Sequence, residues 1–175
     1  MNLRSPYDTG KPQLIKEVMN KYDPKRVLWI STRITYTFDI LKTFEEDFGF
    51  KKYHENDFKA DRIVIQLESL WKLQSPFLDD LVPVYDLIIL DEVESILKQF
   101  SSEETFKDRA RSTFEFLQHI IYASLNDCGK IISMDGDLGN RAMHFLNKFG
   151  TLKNIINRIN FNDFHMTIHD RSRLL

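Results

Sequence analysis

The chain has 175 residues, of which 42% are apolar and 29% charged, with a formal net charge of −2. That suffices for one domain with its own core, and the near-balanced charge excludes a global field drawing the chain to nucleic acid, so any such contact must be local. No signal peptide and no apolar run long enough to span a bilayer is read, which sets the expectation of a soluble, intracellular protein with no membrane partner.

Residues Met1 to Pro12 read as a loop. A helix is predicted from Pro12 to Tyr22, with Leu14, Ile15, Val18 and Met19 on one face. Asp23-Pro24-Lys25 is a turn, and Arg26 to Ser31 a strand ending in Thr32-Arg33. Ile34 to Phe48 is helical, stopped by Gly49. Arg62 to Leu67 is a strand, Glu68 to Leu73 a short helical turn, and Ser75-Pro76 a loop.

Val84 to Ser95 is the most informative stretch. The run Leu87 to Leu90 reads as a strand buried on both faces, and it ends abruptly in Asp91-Glu92. Acids at the carboxyl end of such a strand would stand together in the crevice where α/β proteins bind ligands. One could hold Mg²⁺ and the next orient a water, as nucleotide hydrolysis requires. The same two residues also read as an ordinary acidic helix start. A helix follows through Leu97 to Phe100.

Ser101-Ser102-Glu103-Glu104 is a capping signal opening a long helix from Thr105 to Leu125, with Phe106, Ala110, Phe114, Leu117 and Ile121 inward. The chain's 14 phenylalanines, many at helical spacing, read as core and packing faces. The single cysteine, Cys128, excludes an internal disulfide, fits a reducing compartment and reads as a small buried residue. Gly129 turns into a strand from Lys130 to Met134, Asp135 to Gly139 is a loop, and Asn140 to Phe149 is a helix. Asn154 to Asn160 is a last strand, and residues 161–175 form a polar tail. There, His165 and His169 lie four apart, a metal-clamping spacing on a helix, but Thr167 and Ile168 weaken a helix and no third ligand is evident.

This alternation predicts a parallel sheet with helices on both faces. Four strands end in polar residues: Ser31-Thr32-Arg33, Gln66-Glu68-Ser69, Asp91-Glu92 and Asp135-Asp137. In a parallel sheet all four ends share one edge, which argues for a single composite site. Ahead of the first helix, Thr9-Gly10-Lys11 supplies the lysine and one glycine of a phosphate loop. Asp8 stands where a second glycine is usual, and Pro12, with neither hydroxyl nor N–H, where a Ser or Thr belongs. Too few residues precede this loop for the strand that normally holds one, and taken alone Thr-Gly-Lys-Pro is a turn.

Together these stretches resemble the first RecA-like domain of a superfamily 2 helicase, and more narrowly the replication-origin-binding protein family of herpesviruses and its relatives in large DNA viruses. The matching stretches are Ser5 to Val18, Val27 to Arg33, Arg62 to Leu70, Leu87 to Phe100 and Ile131 to Leu138. The string Asp91-Glu92-Val93-Glu94-Ser95-Ile96-Leu97-Lys98-Gln99-Phe100 is the most family-specific, and Gln66-Leu67-Glu68-Ser69-Leu70 supports it.

The resemblance implies a three-layer αβα P-loop NTPase fold over residues 1–160, with ATP and Mg²⁺ as cofactors and DNA as partner. It implies that Thr9, Gly10 and Lys11 contact the nucleotide phosphates, that Asp91 holds Mg²⁺ and that Glu92 activates water. Thr32, Arg33 and Ser69 would line the DNA track, and Asp135 and Asp137 would couple it to the ATP site. The family's second RecA-like domain, with its arginine finger, is not read in this sequence. The expectation is an incomplete or decayed helicase-like copy acting in DNA replication; the alternative is a non-catalytic remnant that binds DNA or a chain carrying the second domain.

Overall fold

A computed structural model describes residues 1–4, 10–32, 34–52, 60–74, 82–101, 106–150, 153–160 and 163–169. In chain order the elements are β1 (Asn2–Arg4), α1 (Lys11–Tyr22), β2 (Val27–Ser31), α2 (Ile34–Phe48), β3 (Lys51–Lys52) and β4 (Arg62–Gln66). A 3-10 segment (Leu67–Leu73) precedes β5 (Leu87–Asp91) and α3 (Val93–Gln99). A 3-10 turn (Lys107–Arg109) leads into α4 (Ala110–Asn126), and then β6 (Lys130–Asp135), α5 (Asn140–Asn147), β7 (Asn154–Asn160) and β8 (Asp163–His169).

The strands form one sheet in the order β3-β4-β2-β5-β6-β1-β7-β8. Every pairing from β3 to β7 is parallel, and β7 with β8 is antiparallel. Alternate side chains of each strand point to opposite faces, and this divides the core in two. Val27, Trp29, Val64, Leu87, Ile89, Ile132 and Met134 pack with Ile15 and Met19 of α1 and with Ile40 and Phe44 of α2. Leu28, Ile30, Ile63, Ile65, Ile88, Leu90 and Ile131 pack with the 3-10 segment, α3, α4 and α5. Fully apolar strands such as Leu87–Leu90 are the direct consequence of being covered on both faces. This is a three-layer αβα fold.

Four sequence expectations are corrected. Residues 1–12 do not form only a loop: Asn2–Arg4 is a strand, set between β6 and β7. It offers a single apolar residue, Leu3, so no pattern announces it. Its pairing comes from both neighbours, and buried Asn2 Oδ1 accepts from Ser133 Oγ at 2.6 Å. The long helix is not continuous: Thr105 lies outside the described residues, Phe106 is helical and stacks on Phe100 with centroids 5.1 Å apart, Lys107–Arg109 is 3-10, and the unbroken α-helix runs from Ala110. Cys128 is exposed, not buried, at a left-handed φ of 65° in the turn after α4. The polar tail contains β8, paired residue for residue with β7. His165 and His169 therefore lie on a strand, where positions four apart are separated by about 13 Å.

Gly129 makes this last connection possible. A Cβ there would lie 2.4 Å from the Tyr85 carbonyl oxygen and 2.6 Å from that of Ser124. Its N–H donates to the Ser124 carbonyl at 2.7 Å, and the Tyr85 N–H donates to Ser124 Oγ at 3.0 Å. The α4–β6 turn and the approach to β5 are thereby locked together by backbone.

Candidate functional site

The parallel sheet brings the expected strand ends to one edge. Register pairs Ser31 with Gln66, Asp91 with Met134 and Arg4 with Asp135, so β4, β2, β5, β6 and β1 end side by side. Of the residues singled out from sequence, Gly10, Lys11, Thr32, Ser69, Asp91, Glu92, Asp135 and Asp137 are described; Thr9 and Arg33, like Asp8, lie outside the described residues.

The edge has two sides. Asp91 continues the Leu87, Ile89 alternation and turns toward the α1–α2 layer. It is 1% exposed, and Trp29 Nε1 donates to its Oδ2 at 3.3 Å. Trp29 is itself held edge-on by Phe44, with centroids 5.1 Å apart, and by Phe50 at 6.2 Å. The metal-holding position predicted from sequence is thus a buried carboxylate oriented by an aromatic cluster, not one projecting freely into a crevice. Lys11 opens α1 on this same side and is 7% exposed. Gly10 caps the helix at φ 81°, a conformation that suits glycine, and its carbonyl accepts from Leu14 N–H at 3.0 Å. Pro12 occupies the first turn and removes one of the N–H groups that a helix start otherwise offers an anion.

Glu92 is the hinge between the two sides. It adopts φ 55° and ψ 58°, the left-handed region that a non-glycine residue enters at a cost of about 1 kcal/mol or more. This kink ends β5 and starts α3 at Val93.

On the other side, Asp135 faces α3. Its Oδ2 accepts from the Glu94 N–H at 2.8 Å and its Oδ1 from the Asp137 N–H at 2.9 Å. Glu94 in turn accepts, through Oε1, from the Ala142 N–H in the first turn of α5 at 3.0 Å. Gly139 lies against that carboxylate, because a Cβ there would come within 2.7 Å of Oε1. Asp137 Oδ1 accepts from Arg4 Nη2 at 2.9 Å, which ties the loop after β6 to the residue that leads out of β1. Two carboxylates therefore cap two helices in sequence: Asp135 receives the start of α3, and Glu94 of α3 receives the start of α5.

Thr32 and Ser69 follow the paired ends of β2 and β4. The Thr32 carbonyl accepts from Gln99 Nε2 of α3 at 3.4 Å, and Ser69 is buried at 7% exposure. Sequence reading assigned no role to Arg4, Trp29 or Glu94. Glu94 stood within the family-specific string, but its reach to α5 is a tertiary fact that no spacing within α3 encodes.

Among the described residues no group of three His, Cys, Asp or Glu side chains gathers to hold a metal ion. Asp91 alone suits a hard cation such as Mg²⁺, which takes one or two carboxylates and draws its other oxygens from phosphates and water. The donor set at this edge fits that mode of binding.

The sheet order and the helices on both its faces define a RecA-like αβα domain. A solved structure from Sulfolobus tokodaii, described as a hypothetical ATP-dependent RNA helicase, superposes with a TM-score of 0.65 over 89% of this chain and 47% of its own, at 13% identity. The chain belongs to the family described as Origin of replication binding protein, whose profile matches residues 4–171. A protein of Acanthamoeba polyphaga mimivirus, provisionally named a replication origin-binding protein, is 34% identical over 154 residues, covering 85% of this chain. The replication origin-binding protein of varicella-zoster virus (strain Dumas) is 30% identical over 149 residues, 79% of this chain. The matched region spans 19% of the mimivirus protein and 16% of the varicella-zoster protein. Among the described residues no helix is long and apolar enough to cross a membrane.

Proposed function

We propose that this chain is a nucleotide-binding, helicase-like RecA domain acting in DNA replication at origins. The observation that carries the reading is that Asp91, Glu92 and Asp135 stand at the carboxyl edge of one parallel sheet, with Lys11 buried at the start of α1 in the layer on the Asp91 side, within a family of origin-binding proteins. Lys11 and the backbone of Thr9 and Gly10 would contact the phosphates of ATP. Asp91 would hold Mg²⁺, whose chemistry when bound is to neutralise charge on the β- and γ-phosphates. Glu92, fixed by its strained backbone, would orient the attacking water and accept its proton. Asp135 and Asp137 would relay the state of that site through the α3 start and Arg4. Thr32, Arg33 and Ser69 would face DNA along the same edge, with a second RecA-like domain, in this or another chain, completing the track.

A second reading is favoured by one feature. Pro12 withdraws a backbone donor from the α1 start, and Asp8 adds negative charge next to it in sequence. On this reading the chain keeps the fold and a DNA or partner surface without turnover. Melting the native chain and an Asp8→Gly/Pro12→Thr variant in the presence of Mg-ATP separates the two. A ligand that binds only the folded state raises Tm with concentration. A shift in the native chain supports a working nucleotide site, a shift in the variant alone supports the remnant, and no shift in either contradicts the nucleotide reading.

A further inference from the structure

The outer helical layer carries a second concavity, away from the sheet edge. It has a volume of about 490 Å³ and is lined by Leu97, Phe100, Ala110, Arg111, Phe114, Arg141, His144, Phe145 and Lys148. α3, α4 and α5 form its walls. Its floor is apolar, and its rim is basic: Arg111, Arg141, His144 and Lys148 are all exposed. Arg141, His144 and Lys148 succeed one another at spacings of three and four, so they form one stripe along α5 and its C-terminal turn. Arg111 faces them from α4 and is partly neutralised by Glu115, 2.9 Å away. Among the described residues no acidic side chain lines the groove, in a chain whose formal net charge is −2.

We infer that this groove docks an acidic amphipathic helix of a partner protein, its apolar stripe on the phenylalanine floor and its carboxylates against the rim. Charge complementarity sets the sign of the partner, because an apolar trough between cationic walls favours a segment that is apolar on one face and acidic on its flanks. The floor argues against single-stranded nucleic acid. Base stacking needs free ring faces, and these rings are engaged with one another. Phe114 meets Phe100 edge-on with centroids 5.0 Å apart, and Phe114 and Phe145 lie 5.7 Å apart. Phe145 is only 5% exposed. The groove also lies at the C-terminal end of α3, whereas the carboxyl edge of the sheet is met by the N-terminal end of that helix.

The test is a fluorescence-anisotropy titration of the whole chain with a labelled helical peptide of about four turns. It carries leucines at i, i+3, i+4 and i+7 and glutamates elsewhere. A peptide with lysine in place of every glutamate is the control, and unlabelled oligothymidylate the competitor. Saturable binding of the glutamate peptide alone, weakened about tenfold by Arg141→Glu/Lys148→Glu and by raised salt, is the expected result. Equal binding of both peptides, no binding of the glutamate peptide, or displacement by oligothymidylate overturns the proposal. The peptide comparison uses the native protein, so it stands even if the charge-reversed variant folds poorly. It is also independent of ATP, so its failure leaves the nucleotide reading untouched.

Discussion

The Asp135 carboxylate accepts the Glu94 backbone N–H at 2.8 Å, joining the loop after β6 to the start of α3, two residues beyond the left-handed Glu92. That bond, with the one from Asp137 N–H, occupies both Asp135 oxygens. Asp135→Ala strands two N–H groups in a part-buried site and is expected to cost about 2 kcal/mol in urea unfolding, with Asp135→Asn costing less because it keeps one acceptor oxygen. A loss below about 0.5 kcal/mol for the alanine variant would show that these donors find water instead.

Glu94→Ala removes the acceptor for the Ala142 N–H at the α5 start and is expected to cost about 1 kcal/mol. Glu94→Gln keeps an acceptor oxygen and should lose only the charge–dipole part, a few tenths of a kcal/mol. The Arg4–Asp137 pair behaves differently. With side chains 49% and 88% exposed it is screened by solvent, so Asp137→Ala should leave stability within about 1 kcal/mol. Parallel urea titrations of the three variants check this order.

Two turn positions near Gly129 are expected to respond in opposite directions. Gly129→Ala drives a methyl into the Tyr85 and Ser124 carbonyl oxygens and should destabilise by about 1–3 kcal/mol. Cys128→Gly relieves a positive φ at an exposed residue and should stabilise by up to about 1 kcal/mol. Thermal melts of the two variants make the comparison, and a stabilising Gly129→Ala would contradict the backbone contact described.

Tyr85 gives the chain an alkaline limit. Burial pushes its phenol up to about 12, against an opposing pull from Arg26, whose guanidinium lies 5.2 Å from the ring centroid. The folded-state value lies above that of the unfolded chain, near 10, so the contribution is complete below about pH 10 and lost as pH rises toward 12. The loss is on the order of 3 kcal/mol. Chemical unfolding at pH 9 and at roughly pH 11 should show a fall in stability that Tyr85→Phe reduces.

The strands that sequence made legible are those whose physics is local. Leu87–Leu90 must be buried on both faces because every residue in it is apolar, and Gly49 at φ 67° does end α2. From such segments the parallel sheet and its shared edge follow without knowledge of contacts. β1 was illegible because its identity lies in its neighbours, with Asn2 bonded to Ser133 more than a hundred residues away. β8 did carry a signal, since Phe164, Met166 and Ile168 alternate with polar residues, but reading the stretch as a polar tail passed over it, and its pairing with β7 is what makes the strand evident. At the site, Asp91 and Glu92 were visible as two acids ending an apolar run. That Asp91 turns inward onto Trp29, and that Asp135 works on the other face through Glu94, depends on the pleat and on which helices cover each side.

Trp29 offers the most direct test of the proposed nucleotide site, because its indole donates to Asp91 itself. In a Trp71→Phe background Trp29 is the sole tryptophan, since the chain has two. Mg-ATP binding at Asp91 should then produce a saturable change in Trp29 emission, lost in Lys11→Ala. A flat titration, or a change that survives Lys11→Ala unaltered, would contradict the assignment of this edge as the nucleotide site.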